Sequence, residues 1–226
     1  MMQERIRREF NQWADSGRGR GLEKRHWETT RELIELMEIS EHDNVLDLGC
    51  GVGWATRVLA QKASRGIVAG LDLSDRMIVQ ARTGYRNPHN VFFVVADASG
   101  IPCPAGFFDA MLSVESIYYY PELDAAFSEV HRILKPGGKA FFLIGYYKEN
   151  AWGHEWAKHI DIPLHLLGAA EYTAALKRSG FASAAHRRIV DSTPLPDDWT
   201  PTHWFPSRQD HQRFRAEGTL LLMAEK

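Results

Sequence analysis

Apolar residues along the chain follow two rhythms. Some form short unbroken runs rich in β-branched and aromatic residues, and others recur every three or four positions over longer stretches. The runs predict strands near residues 44–48 (NVLDL), 66–71 (GIVAGL), 91–95 (VFFVV), 107–114 (FFDAMLSV) and 139–145 (KAFFLIG). The clearest helical stretch lies between the last two, where Leu123, Ala126, Phe127, Val130, Ile133 and Leu134 fall on one face, and KPGG at 135–138 stops it. Strands alternating with helices predict an α/β architecture, a parallel sheet wrapped by helices.

Beyond residue 146 the rhythm breaks. The stretch YYKENAWGHEWAKHIDIPLHLLG is rich in aromatics and histidines without a clean period, so 146–168 reads as an insertion over the sheet. A helix follows at about 169–179 and ends at Gly180; HRRIVD and TLLLMAEK read as two last strands, flanking a Pro- and Trp-containing loop and able to pair antiparallel. Residues 1–40 read as a helical cap. With no internal repeat or linker, residues 1–226 are expected to form a single domain.

Composition narrows the functional classes. A net charge of −2 gives no basic excess, which argues against a nucleic-acid partner. The N-terminal MMQERIRREFNQW has no apolar core of the signal-peptide kind and no run of about 18 apolar residues occurs, so a soluble, cytoplasmic protein without a membrane partner is expected. Cys50 and Cys103 are the two cysteines and are expected to be reduced thiols. His154, His159 and His165 are spaced by five and six residues, off a single helix face, and no metal site is expected.

The stretch VLDLGCGVGWAT places Gly49, Gly51 and Gly53 directly behind a buried strand. Glycine there lets backbone approach a ligand closely, and a strand, glycine loop and helix in succession aim backbone N–H groups at it. Trp54 stands where a dinucleotide fingerprint needs glycine or alanine, which argues against NAD. Asp72 closes the second strand about twenty residues on, the position from which a carboxylate accepts from ribose hydroxyls. Asp97 closes the third, where it could accept from the exocyclic amine of a base. All three features fall at the carboxyl ends of strands, where open parallel sheets bind ligands.

Residues 45–145 resemble the class I S-adenosylmethionine-dependent methyltransferases: VLDLGCGVG is similar to their first motif, GLDLS to the ribose-binding acid, ADAS to the adenine-contacting turn and ILKPGG to the helix end before the fifth strand. The resemblance implies a Rossmann-like, seven-stranded, mostly parallel sheet with an antiparallel last strand and helices on both faces. It implies Asp47, Gly49 and Gly51 along the methionine moiety, Asp72 on the ribose diol, Leu73 and Met77 on the adenine, Asp97 and the Ala98 backbone at its edge, and the Ser113 backbone near the methionine end. Cys50 and Gly53, in the same loop, are counted with the cofactor-binding positions, Cys50 as a small packed residue and not a nucleophile.

A sulfonium is already an activated electrophile, so the chain has mainly to align the nucleophile and exclude water. The segment SVESIYYYPELD resembles a subgroup that includes quinone-biosynthesis methyltransferases, in which an acid and a histidine stand where Glu115 and Tyr119 stand here. Glu115, Tyr118 and Tyr119 are the candidate catalytic residues, and aromatic faces there favour an amine or another onium-forming nucleophile. The expected reaction is methylation of nitrogen, oxygen or sulfur of a small-molecule acceptor by a monomer or homodimer. A carbon or oxygen methyltransferase of a quinone-like ring and a non-catalytic S-adenosylmethionine-binding protein stand as alternatives. Two segments are expected to close over the pocket: 10–27, whose glycines at 17, 19 and 21 suggest a mobile loop and whose His26 is a base only if it folds over the site, and 146–168.

Overall fold

The computed structural model describes residues 2–84, 86–202 and 204–226, apart from the Arg20 side chain. Its helices are α1 (Met2–Asp15), α2 (Arg18–Leu36), α3 (Trp54–Lys62), α4 (Asp75–Thr83), α5 (Leu123–Ile133), α6 (Ala169–Arg178) and α7 (Arg208–Glu217). The strands are β1 (Val45–Leu48), β2 (Val68–Asp72), β3 (Val91–Val95), β4 (Phe108–Val114), β5 (Leu134–Ile144), β6 (Ser183–Ile189) and β7 (Thr219–Glu225). They form one seven-stranded sheet in the order β3-β2-β1-β4-β5-β7-β6. β1 to β5 run parallel, and β7 is inserted antiparallel between β5 and β6.

Both faces of the central strands are covered, which is why they read as unbroken apolar runs. Leu46, Leu48, Met111, Phe142 and Leu222 pack in one core with Phe127 of α5 and Leu176 of α6. Their neighbours Val45, Leu112, Phe141, Leu143 and Leu221 pack in the other with Leu33 and Ile34 of α2 and Leu59 of α3. The strand order reverses between β1 and β4, so the carboxyl ends of those strands open a cleft.

Three segments differ from expectation. The glycine-rich stretch after residue 17 is the start of helix α2 and not a loop: Gly17 breaks α1 from α2 at φ 74°, and Gly19 brings α2 close enough to Met77 and Val52 that a Cβ there would stand 3.0–3.1 Å from them. KPGG ends α5 but also belongs to β5, where the register jumps from Phe108–Leu134 to Ala110–Lys139 and the extra residues bulge. The loop before β7 contains α7, which buries no residue completely and so leaves no apolar period; its signal is Ser207, whose hydroxyl caps the Asp210 N–H.

Candidate active site

The carboxyl ends of β1, β2 and β4 open into a cavity of about 510 Å³. On the sheet side its wall carries Asp47, Gly49, Cys50, Gly51, Asp72, Leu73, Met77, Asp97 and Ala98, and further round Glu115, Ser116, Tyr118, Tyr119 and Tyr120. Gly53 and Ser113 do not line it. A Cβ on Gly53 would lie 2.5 Å from the Phe93 ring, so this glycine serves helix-to-strand packing behind the loop. Ser113 is buried in β4 with its hydroxyl 2.5 Å from that of Ser116.

The glycine loop is hung on β2. Gly49 and Cys50 donate backbone N–H groups to the Leu71 carbonyl at 2.7 and 3.0 Å, and Gly51 donates to Asp72 Oδ2 at 2.8 Å. Asp72 Oδ1 accepts from the Ser74 N–H at 2.8 Å, so one carboxylate fixes both the loop and the start of α4. Burial pushes its pKa up to about 6 against these two donors. Asp47 is buried in β1 and accepts from the Thr56 hydroxyl at 2.6 Å; burial, with the Asp72 charge in the same direction, pushes it up to about 7. Asp97 Oδ1 holds its own turn through the Ser99 N–H and hydroxyl. Cys50 is buried and its thiol pKa stands well above normal for that reason.

These residues suit S-adenosylmethionine. At Gly51 the position a Cβ would take is open space, with no atom within 4 Å, next to the Asp72 carboxylate. A carboxylate has about four acceptor sites, so the two backbone donors leave Asp72 capacity for a ribose diol. Asp47, a carboxylate raised by burial and by the Asp72 charge, is matched to an ammonium.

At the other end stands Glu115, one of two non-glycine residues with positive φ among the described residues, at 53°. That left-handed turn swings the chain out of β4 into a short 3₁₀ turn at Ile117–Tyr119 and sends the carboxylate back across the sheet. Its Oε1 accepts from the Gly145 N–H and its Oε2 from the Tyr118 hydroxyl, both at 2.8 Å. Burial pushes Glu115 up to about 7. Tyr119 meets Phe10 edge-on at 4.8 Å between centroids, and Tyr118 lies 5.6 Å from Trp156. The Tyr120 hydroxyl is 2.7 Å from that of Ser116.

Segment 10–27 does reach the cavity, as its sequence suggested, whereas Arg18, Arg25 and the stretch around α7 carry no local signal of a place there. α1 and α2 bring Phe10, Trp13, Arg18, Arg25 and His26 to the cavity, the segment leading into α7 brings Leu195, Trp199, Trp204 and Phe205, and α7 itself brings His211. His26 does face the site, 3.8 Å from Glu115 Oε1, but burial and Arg25 push its pKa down to about 3. His211 accepts the Trp199 indole N–H at 3.0 Å and stacks on Phe205. Burial, with Arg215 nearby, pushes it down to about 4. In the 146–168 segment, His154 and His165 place ring nitrogens 2.9 and 2.8 Å from the Tyr147 and Tyr120 carbonyls, tasks of loop anchoring. No helix among the described residues is long and apolar enough to cross a membrane.

Comparison with known proteins agrees with this geometry. A family described as a methyltransferase domain matches residues 46–142. A sterol 24-C-methyltransferase of Neurospora crassa is 30% identical over 182 residues, 74% of this chain and 47% of that protein. A fatty-acid O-methyltransferase of Mycolicibacterium smegmatis is 32% identical over 183 residues, 79% of this chain and 65% of that protein. The chain thus spans about half to two thirds of the length of these curated relatives. A chain from the complex between the Haloferax volcanii Trm112 methyltransferase activator and a methyltransferase superposes with a TM-score of 0.87 at 35% identity, covering 96% of this chain and 97% of that one. Glycine loop, strand-end acids and sheet order all lead to one conclusion: the chain belongs to the class I S-adenosylmethionine-dependent methyltransferases.

Proposed function

We propose that the chain methylates a nitrogen, oxygen or sulfur atom of a small metabolite enclosed with the cofactor in the cavity. The observation that carries this reading is one roofed cavity of about 510 Å³ with strand-end carboxylates at one end and Glu115, Tyr118 and Tyr119 at the other. That volume is in the range of small-ligand sites. In this reading Asp72 binds the ribose diol, Asp47 the ammonium, Gly49, Cys50 and Gly51 line the methionine moiety, Leu73 and Met77 cover the adenine, and Asp97 with Ala98 reads its edge. Gly53 and Ser113 support that wall from behind.

Bound S-adenosylmethionine supplies a methyl group on a positively charged sulfur. The chain's own part is to hold the acceptor in line and keep water out. Tyr118 and Tyr119 form the wall against which the acceptor lies, and Glu115, with an affinity for protons suited to neutral pH, takes the proton that an O–H or N–H nucleophile gives up. α1, α2 and 146–168 act as the lid. The test is incubation with methyl-labelled S-adenosylmethionine and a cytosolic extract, followed by separation of small molecules from macromolecules. Label in the small-molecule fraction supports the reading and yields the acceptor by mass; label confined to macromolecules overturns it. A flat quinone-like ring methylated on carbon or oxygen is the second reading, favoured by the aromatic lining of Phe10, Trp13, Tyr118, Tyr119, Trp156 and Trp204.

An activator protein is proposed as a partner, docked on the β3 edge of the sheet. β3 ends the strand order, and Phe92 and Val95 on it, Val79 on α4 and Ile67 beside it are 39–54% exposed. An apolar sheet edge invites an added strand. The similarity to a chain found in complex with the Trm112 activator supports this occupant. Gel filtration with the Haloferax volcanii activator should give a stable complex that Phe92→Asp abolishes; separate elution of the unaltered proteins overturns the assignment.

A further inference from the structure

Two cations of the cavity stack on its indoles but have no carboxylate within 4.0 Å among the described residues. Arg18 lies with its guanidinium carbon 3.5 Å from the Trp13 ring centroid and 4.4 Å from that of Trp204, and its Nη2 is shielded from solvent with no hydrogen bond. Arg25 is 5.5 Å from the same Trp204 ring. Among the described residues neither guanidinium makes an ion pair within 4.0 Å. Stacking satisfies the faces of a guanidinium, but its in-plane N–H donors are specific for carboxylate or phosphate oxygens. An unbonded donor shielded from water is costly, and a ligand oxygen relieves that cost.

Their position says which ligand. Arg18 acts on Tyr119, and Arg25 acts on Glu115, Tyr118 and Tyr119, whereas the charges acting on Asp47 are those of Asp72 and Arg57. The pair therefore stands at the tyrosine end, away from the carboxylate proposed for the cofactor's ammonium. Glu115 is the neighbouring acid; it acts on Arg25 through its charge but stands beyond 4.0 Å from either guanidinium, with its oxygens turned to the Gly145 N–H and the Tyr118 hydroxyl.

We infer that Arg18, stacked between Trp13 and Trp204, and Arg25, beside Trp204, bind an anionic group of the methyl acceptor, a carboxylate or a phosphate. The inference rests on the small-acceptor reading above and names the acceptor's class: an apolar or aromatic body against the tyrosines with an anion at the roof. Because Trp204 belongs to the segment before α7 and the arginines to α2, an anion there also ties two parts of the roof together.

The test is calorimetric titration of the full chain saturated with S-adenosylhomocysteine, using benzoate and phenyl phosphate against the neutral probes benzyl alcohol and benzamide. At least one anionic probe should bind about tenfold or more tighter than both neutral ones, and Arg18→Met and Arg25→Met should each remove that preference by about tenfold to a hundredfold. Methionine keeps an unbranched stem between the indoles, and unchanged affinity for S-adenosylhomocysteine certifies the fold. Equal binding of charged and neutral probes, no binding of the anionic probes, or a preference that survives both substitutions overturns the proposal. So does an Arg18→Met loss of affinity for S-adenosylhomocysteine that its decarboxylated analogue escapes, since the guanidiniums would then hold the cofactor's own carboxylate. The titration needs no turnover, so its failure is distinct from label appearing on macromolecules.

Discussion

Gly51 and Asp72 are joined at the strand-end rim of the cavity, the glycine N–H donating to Asp72 Oδ2 at 2.8 Å. The other oxygen of the same carboxylate accepts the Ser74 N–H, so the acid proposed to bind ribose also sets the shape of the loop beneath it. Binding and preorganisation are one device here.

Asp72→Ala removes two backbone hydrogen bonds and the ribose acceptor together. Affinity for S-adenosylhomocysteine should fall by about 1–3 kcal/mol, measured by calorimetry. Unaltered affinity would remove Asp72 from the ribose.

Cofactor binding should weaken as pH falls. A proton and an ammonium compete for Asp47, which burial holds near 7 without ligand, so affinity is full above that value and declines as pH drops through it. Asp72, raised to about 6, adds to the decline further down. Asp47→Asn should flatten the upper part of the profile; an identical profile in both proteins contradicts the pairing. For the ligand-free protein the same linkage has the opposite sense: both folded-state values lie above the ordinary aspartate value of 3.8, so stability falls as pH rises from there toward 7.

At the tyrosine end, Glu115→Gln should keep cofactor affinity and lower kcat, because the amide no longer takes a proton. Its rate should also lose the rise with pH near 7 that is expected of the unaltered protein if Glu115 takes the proton. Tyr119→Phe should leave cofactor binding intact and reduce turnover if the hydroxyl orients the acceptor. Equal turnover assigns Tyr119 to packing against Phe10.

The proposed lid is tied to the strand-end acids through Asn11, which accepts from the Ser74 hydroxyl at 2.6 Å and donates to Asp75 at 2.9 Å. Ligand on Asp72 should therefore steady α1 and α2. Tryptic cleavage within 10–27 and 146–168 should slow on saturation with S-adenosylhomocysteine, and unchanged rates count against a lid.

Gly53→Ala tests the division of labour among the glycines. With φ at 77° and the Phe93 ring 2.5 Å from the new Cβ, the variant should lose about 1–3 kcal/mol in denaturant unfolding. Cofactor affinity of the folded fraction should change little; a large loss of affinity at unchanged stability would return Gly53 to the site.

The local pattern determined the strands, the glycine loop and the strand-end acids, because strand runs, tight turns and chain reversals are written in neighbouring residues. Asp47, Asp72 and Asp97 were legible since a parallel sheet delivers every strand's carboxyl end to the same rim. The sequence by itself also placed Glu115 and the tyrosines on that rim. Only the tertiary structure decided which glycines face the cavity: Gly51 borders open space while Gly53 meets Phe93, forty residues away. It alone brought Arg18 of α2 under Trp204, a contact spanning most of the chain. No local period announces such a pairing, since its energy comes from desolvation and stacking between segments that the sheet, and not the sequence between them, holds together.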